Sequence, residues 1–342
     1  MALWRGHLMN LRRFVFLTMA MALALAAAQD VPPFRDPSPH RTQFVTVASD
    51  VRLEVLDWGG TGRPLVFLAG YLTAHAYDDI APKLTANAHV YGITRRGLGA
   101  SSRLPTGYTA RESAEDVLHV LDALKLDKPI LAGHSFGGQD LTVLGASYPD
   151  RMAGLVYLDS AEDTSLGPMT TAAGQPDPSW LPADLRGEAQ PDLSSVEAFR
   201  ETQRRRLGMA LPEAEVRLLY EIRPNGTLGQ YLVSKPVRDA LFHGLQPPDY
   251  PRIRVPVLAL FALPSPLEDQ LKRYWPENAE QGAALGFRYG VALSEIARNE
   301  NALRRGVPGA RVVEVSGART YIFLSNEADV LRELRVFIAQ LR

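Results

Sequence analysis

Gly133-His134-Ser135-Phe136-Gly137 is the stretch whose residue types and spacing suit chemistry. A serine on a sharp strand-to-helix turn has its hydroxyl lifted clear of the sheet, and flanking glycines leave room for that turn. The turn aims the backbone N–H of Phe136 at the place where an oxyanion would form, so the motif suits attack by Ser135 on an acyl carbon. The apolar run Ile130-Leu131-Ala132 precedes it and a helical pattern from Phe136 to Tyr148 follows, which is the context the motif needs.

A serine hydroxyl is a poor nucleophile near neutral pH unless a base takes its proton and an acid orients the base. The histidines are His7, His40, His75, His89, His119, His134 and His243, with none further along the chain. Cysteine is absent, which excludes a thiol nucleophile, thiolate metal sites and disulfides. No His, Asp and Glu spacing suggests a metal, and no cofactor is expected. Gly97-x-Gly99 lacks the third glycine of a dinucleotide loop. A formal charge of −1 gives no reason to expect a nucleic-acid partner.

Elements that can position Ser135 follow from hydrophobic periodicity. Apolar strands are expected at Val51 to Leu56, Leu65 to Leu68, Val90 to Ile93, Pro129 to Ala132, Leu155 to Leu158, Val255 to Phe261 and Val312 to Val315. Helices are expected at Ala76 to Ala86, Ser113 to Leu126, Phe136 to Tyr148 and from Val330 to Leu341. Alternating strands and helices imply an α/β fold, with a mostly parallel sheet covered on both faces. Apolar residues make up 46% of the chain and charged residues 22%, ordinary for a globular protein with a core.

Two segments fall outside that rhythm. Arg5, Arg12 and Arg13 followed by the apolar run Phe14 to Ala28 read as a signal peptide over residues 1–28, with cleavage after Ala26-Ala27-Ala28. The expected product is exported, periplasmic or secreted, with no membrane attachment after cleavage; proline-rich residues 29–43 form an extended lead-in. Residues 161–250 are proline-rich and irregular, with helical stretches around Glu197 to Leu207 and Glu213 to Ile222, and read as a lid inserted over one end of the sheet. The core then comprises 44–160 and 251–342.

From about residue 43 onward the chain resembles the α/β-hydrolase superfamily. Ala69-Gly70-Tyr71 stands where the family has His-Gly-x, and Arg96-Gly97-Leu98-Gly99-Ala100-Ser101 matches its Arg-Gly-x-Gly-x-Ser loop. The resemblance implies a hydrolase acting on a small molecule, with the N–H of Tyr71 joining that of Phe136 in the oxyanion hole. The family's acid follows either of two strands. After the later one, Ala262-Leu263-Pro264-Ser265-Pro266 offers no carboxylate. After the earlier one, Tyr157-Leu158-Asp159-Ser160 offers Asp159, with a turn or capping role as its alternative and Asp163, Glu268 and Asp269 as other candidates. The family's histidine falls in Ser316-Gly317-Ala318-Arg319-Thr320-Tyr321, at Thr320, which cannot accept a proton near neutral pH.

His75, just after the oxyanion turn, and His243, at the end of the lid, are the candidates for lining the substrate pocket or standing in as base. His134 should point away from the cleft as a packed residue. Arg319 stays charged and cannot be a base. Arg204-Arg205-Arg206 reads as a solvated helix face. Two functions remain: a serine hydrolase of a small ester or amide with an incomplete triad, or a non-catalytic protein that keeps the pocket to bind a small apolar ligand. Oligomeric state is not readable.

Overall fold

The computed structural model describes residues 34–166 and 190–341, with Ser179, Leu181 and Leu185 between them. The leader expected over 1–28 lies outside the described residues, as does part of the expected lid. Contacts divide the chain after Pro37, and the fold described is that of the unit Ser38–Arg342. No helix among the described residues is long and apolar enough to cross a membrane.

The first half of the core runs β1 (Arg41–Ala48), β2 (Val51–Gly59), β3 (Pro64–Leu68), β4 (His89–Ile93), α1 (Ala110–Ala123), β5 (Ile130–His134), α2 (Phe136–Ser147) and β6 (Gly154–Leu158). The inserted block holds α3 (Val196–Leu207), α4 (Glu213–Leu219), a hairpin of β7 (Tyr220–Ile222) and β8 (Leu228–Tyr231), and α5 (Lys235–His243). The core resumes with β9 (Val257–Leu263), α6 (Leu267–Tyr274), α7 (Ala279–Gly306), β10 (Arg311–Ser316), α8 (Ile322–Ser325) and α9 (Glu327–Gln340).

The main sheet has the order β1-β2-β4-β3-β5-β6-β9-β10. The β1–β2 and β2–β4 pairs are antiparallel, and every later pair is parallel. Successive side chains of a strand point to opposite faces, and β3 shows it: Leu65 and Phe67 join one buried cluster, Val66 and Leu68 the other. The first face is covered by α9, through Val330, Leu334 and Phe337, and by lid residues such as Phe199 and Leu241. The second is covered by α1 and α2, through Val117, Leu121, Leu141 and Leu144. Two covered faces explain why these strands read as continuous apolar runs.

Three expectations change. The helix expected over Ala76 to Ala86 is two short 3₁₀ turns, Ala74–Tyr77 and Ala81–Leu84. Pro82 in the middle has no N–H to continue an α-helix and sits where a helix can start. The stretch Glu213 to Ile222 is helical only to Leu219, because Tyr220–Ile222 pairs with β8. The 28-residue helix α7 was not expected at all. It buries few side chains, among them Leu285 and Leu303.

Candidate active site

In open parallel sheets, ligands bind beyond the carboxyl ends of the strands, where strand order reverses. Here β3 is flanked by β4 on one side and β5 on the other. Ala69-Gly70-Tyr71 leaves β3, Ser135 leaves β5, Asp159 leaves β6, and Thr320 lies just past β10.

Ser135 joins β5 to α2 with φ 53° and ψ −125°. Few non-glycine residues adopt positive φ, and such backbone costs about 1–3 kcal/mol, so it persists only where packing enforces it. The enforcement is visible in the glycines. A Cβ on Gly133 would lie 2.6 Å from the Gly137 carbonyl oxygen, which closes the elbow on itself. A Cβ on Gly70 would lie 2.4 Å from the His134 carbonyl oxygen, 2.6 Å from Ser135 Cβ and 2.7 Å from the Phe136 nitrogen. The turn after β3 is therefore pressed against the elbow, with Tyr71 and Phe136 on either side of the contact. Their rings lie 6.1 Å apart. Beneath α2, Arg95 donates to the Phe136 carbonyl (3.1 Å) and to Asp140 (2.5 Å), an ion pair buried under the turn.

Asp159 is the other strained residue at these strand ends, with φ 49°. Its backbone N–H donates to Leu260 (2.8 Å), and its Oδ1 accepts from the Ala262 N–H (2.9 Å), so it is clamped between β6 and β9. Burial pushes its carboxyl up to about 6, against the Ala262 N–H and a hydrogen bond from Thr320 that favour the anion. Thr320 is thus seated on Asp159. Its Oγ1 also lies 3.3 Å from His134 Nε2. The threonine hydroxyl thus lies beside His134, the residue preceding Ser135.

Among the described residues, no histidine bonds the Ser135 hydroxyl. His134 is buried between Tyr321 and Phe323, with ring centroids 5.1 and 5.4 Å away. Burial pushes it down to about 4, against a Thr320 backbone hydrogen bond, so it is neutral near pH 7. His75, expected in the pocket, turns Nδ1 to Asp78 (2.9 Å) and Nε2 toward Glu54 (3.8 Å). His40 Nδ1 lies 3.2 Å from the other oxygen of Asp78. Although burial works to raise it, these two imidazoles hold the Asp78 carboxyl below its ordinary value. This His40–His75–Asp78 grouping was invisible in the spacing, and its ligand-type atoms lie within 4.8 Å of one another.

His243, the other pocket candidate, is exposed and places Nδ1 2.6 Å from the Asp239 carbonyl oxygen of its own helix. Its neighbour Phe242 faces the elbow instead, 5.2 Å from the Phe136 ring and 6.3 Å from Tyr71. His89 bonds Asp57 (2.8 Å), and His119 is exposed on α1.

The lid contributes one residue that sequence reasoning missed. Glu215 on α4 is fully buried and accepts hydrogen bonds from the Thr73 N–H (3.0 Å) and hydroxyl. Burial pushes it up to about 7, against those Thr73 bonds. It ties the lid to the turn two residues beyond Tyr71. The Arg96–Ser101 loop has a structural part: Arg96 grips Asp116 with two bonds (2.6 and 2.5 Å), and Ser101 bonds β2 and Thr94.

Comparison with known proteins agrees with this fold. A sequence profile described as the alpha/beta hydrolase fold matches residues 63–260. A protein of Mycobacterium phage D29, provisionally named a non-heme haloperoxidase, is 38% identical over 104 residues, 30% of this chain and 37% of that protein. The 2-(acetamidomethylene)succinate hydrolase of Mesorhizobium japonicum is 29% identical over 101 residues, 29% of this chain and 36% of that one. These alignments therefore span less than half the length of either relative. A crystal structure of E-2-(acetamidomethylene)succinate hydrolase superposes with a TM-score of 0.60 at 21% identity, covering 88% of this chain and 99% of that one, a likeness of fold. With more than half its length matched by the family profile and its sheet in the same fold, the chain belongs to the α/β-hydrolase family.

Proposed function

We propose that Ser135 is a hydrolase nucleophile for a small ester or amide, working in a triad whose base position is filled by Thr320. In this reading Ser135 attacks the acyl carbon, and the N–H groups of Phe136 and Tyr71 hold the oxyanion. Asp159 is the orienting acid. The observation that carries the reading is the strained Ser135 elbow, with the turn carrying Tyr71 pressed against it, beside the strand ends that bear Asp159 and Thr320. A threonine there leaves Ser135 protonated, so turnover is weak or absent. Loss of a triad member commonly leaves only the residual catalysis of the oxyanion hole and binding. The relatives named as hydrolases of 2-(acetamidomethylene)succinate, of carbamate and of epoxides support hydrolysis without fixing the bond cleaved.

A second reading, a binding protein without turnover, is favoured by the engagement of His40, His75, His89, His134 and His243 away from Ser135. The two are separated by incubating the mature protein with a serine-reactive phosphonate and a short-chain p-nitrophenyl ester: turnover or labelling at Ser135 supports the enzyme, and Thr320→His then tests the remaining machinery. If the remaining machinery is sound, kcat/KM for p-nitrophenyl acetate rises at least ~10²-fold, the scale of general-base catalysis. A serine-reactive phosphonate should then label Ser135 faster in the variant. No rise in either readout would count against Asp159 and against the nucleophile. Export is proposed on the leader alone, and N-terminal sequencing of protein from the producing cells tests it: a start other than Gln29 counts against cleavage after Ala28.

A further inference from the structure

Just past the turn that carries Tyr71, two imidazoles meet one carboxylate. The Thr73 hydroxyl accepts from the His75 N–H (3.2 Å) and caps the 3₁₀ turn Ala74–Tyr77, which Asp78 closes by donating its N–H to the His75 carbonyl (3.1 Å). With three residues per turn, positions i and i+3 of a 3₁₀ helix lie one above the other, so His75 and Asp78 share a face and His75 Nδ1 reaches Asp78 Oδ2. His40 comes from another segment. Ser38 donates its hydroxyl to the Asp78 carbonyl (3.2 Å) and accepts from Trp58 Nε1 (3.0 Å), which anchors the chain beside it. The His40 ring then sits 5.1 Å from that of His75 and 5.7 Å from that of Trp58. No metal was expected from the spacing, because His40 and His75 lie in segments that only the fold brings together, one before β1 and one after β3.

The arrangement suits a cation in three respects. First, His75 Nδ1 and His40 Nδ1 lie 2.9 and 3.2 Å from the two oxygens of Asp78, and the ligand-type atoms all fall within 4.8 Å of one another. Ligands ~2.0–2.1 Å from a tetrahedral zinc ion stand ~3.3 Å apart, so small side-chain shifts bring both nitrogens and a carboxylate oxygen onto one ion. Second, Asp78 Oδ1 is buried, on a side chain 4% exposed, and accepts no hydrogen bond among the described residues. Its approach to His40 Nδ1 is an electrostatic contact out of hydrogen-bond alignment. A buried carboxylate oxygen in that state is costly. Third, His75 has a carboxylate at each nitrogen, Asp78 at Nδ1 and Glu54 3.8 Å from Nε2. A neutral imidazole has one N–H and can serve only one of them. With a metal on Nδ1, the N–H sits on Nε2 and faces Glu54, which is how metal-bound imidazoles are commonly held. Glu54 is itself fixed, because Thr94 donates to its other oxygen (2.8 Å).

We propose that His40, His75 and Asp78 bind one divalent transition-metal cation of the zinc class, with Glu54 orienting His75. Two imidazoles and a carboxylate are the ligand types such ions take, whereas Ca²⁺ and Mg²⁺ call for a shell of oxygens. Three protein ligands leave the remaining position to water. The ion is a clamp: it joins the segment before β1 to the turn after β3, four residues beyond Tyr71. The site stands apart from turnover at Ser135.

The test is metal binding by the full chain after treatment with EDTA and dialysis. Zn²⁺ titrated by calorimetry should bind at one equivalent with micromolar or tighter affinity, and Co²⁺ should give the visible d–d absorption of an ion held by nitrogen and oxygen ligands. The thermal midpoint should rise by about 4 °C when Zn²⁺ is in hundredfold excess over its Kd. His40→Gln should weaken Zn²⁺ binding at least ~100-fold and remove the Co²⁺ bands, and Glu54→Gln should weaken it about 10-fold, the scale of an outer partner. His243→Ala, which removes an exposed imidazole, should change neither readout. The urea midpoint of each variant without metal separates a lost ligand from a damaged fold. His75→Ala and Asp78→Asn should also abolish binding; where either fails to fold, His40→Gln carries the comparison. No binding of Zn²⁺, binding unchanged in His40→Gln, or binding lost equally in His243→Ala would each overturn the proposal. Because the readouts are binding and stability, failure of Thr320→His to raise esterase activity would leave the metal site standing.

Discussion

The two ends of the cleft are built to different degrees. At the elbow, the backbone of Ser135 is strained, Gly70 and Gly133 are in contacts that admit no Cβ, and the Arg95–Asp140 pair is buried beneath. In the proposed reading that end presents one hydroxyl beside two backbone N–H groups. At the acid end, Asp159 is equally strained and clamped to β9, yet its partner is a hydroxyl that also reaches His134. The strained scaffold is present at both ends, but only one end has the side chain its geometry is suited to. On the proposed reading, the backbone that is costly to hold is kept at both ends although the side chain at residue 320 is not a base.

That contrast is most sharply tested in the Thr320→His background. Adding Ser135→Ala should abolish the whole ~10²-fold gain in p-nitrophenyl acetate hydrolysis, because the introduced base then has no hydroxyl to deprotonate. Adding Asp159→Asn instead should cost at least ~10-fold of the gain, through loss of the imidazole's orientation and charge partner. Activity that survives Ser135→Ala would mean that the new histidine activates water directly, and the elbow would have no part in it.

Gly70→Ala probes the elbow alone. The added methyl would meet the His134 carbonyl oxygen, Ser135 Cβ and the Phe136 nitrogen, two of them backbone atoms. Overpacking against backbone typically costs about 1–3 kcal/mol, read as a fall in the urea midpoint. In Thr320→His it should also slow phosphonate labelling, since the turn carrying Tyr71 must move away from Ser135. Unchanged stability and labelling together would show that the turn is not pressed on the elbow.

How much of this was legible in the sequence follows from the range of each interaction. The elbow is a local structure: a strand, five residues and a helix, all visible in Ile130 to Tyr148. The position of Thr320 was legible because the strand before it and the helix after it are both apolar and regular. Asp159 was reachable from its place at a strand end. What stayed hidden depends on contacts between distant segments. Glu215 meets Thr73 across 142 positions, and nothing near it in the chain announces a buried carboxylate. His243 is exposed and its neighbour Phe242 faces the elbow, because the turn of α5 decides which of two adjacent side chains does so, and that depends on packing between distant segments.

The smallest expected effect concerns what Thr320 leaves behind. Burial holds the Asp159 carboxyl at about 6, above its ordinary value, because a hydroxyl compensates the anion less than an imidazolium would. A carboxyl raised in the folded state favours folding below its unfolded value near 4, and that contribution is lost as pH rises through about 6. At pH 8 the protein therefore carries a buried anion at a net cost, which Asp159→Asn removes while its amide oxygen still accepts from Ala262. The variant should be more stable than the parent by about 1 kcal/mol at pH 8 and no more stable at pH 4, measured from urea midpoints at the two values. In the Thr320→His background the sign at pH 8 should fade or reverse, because the new imidazole lowers the carboxyl and gains from its charge. A stability difference independent of pH, or identical in both backgrounds, would mean that residue 320 does not set the electrostatics of Asp159, and the contrast between the two ends of the cleft would lose its physical basis.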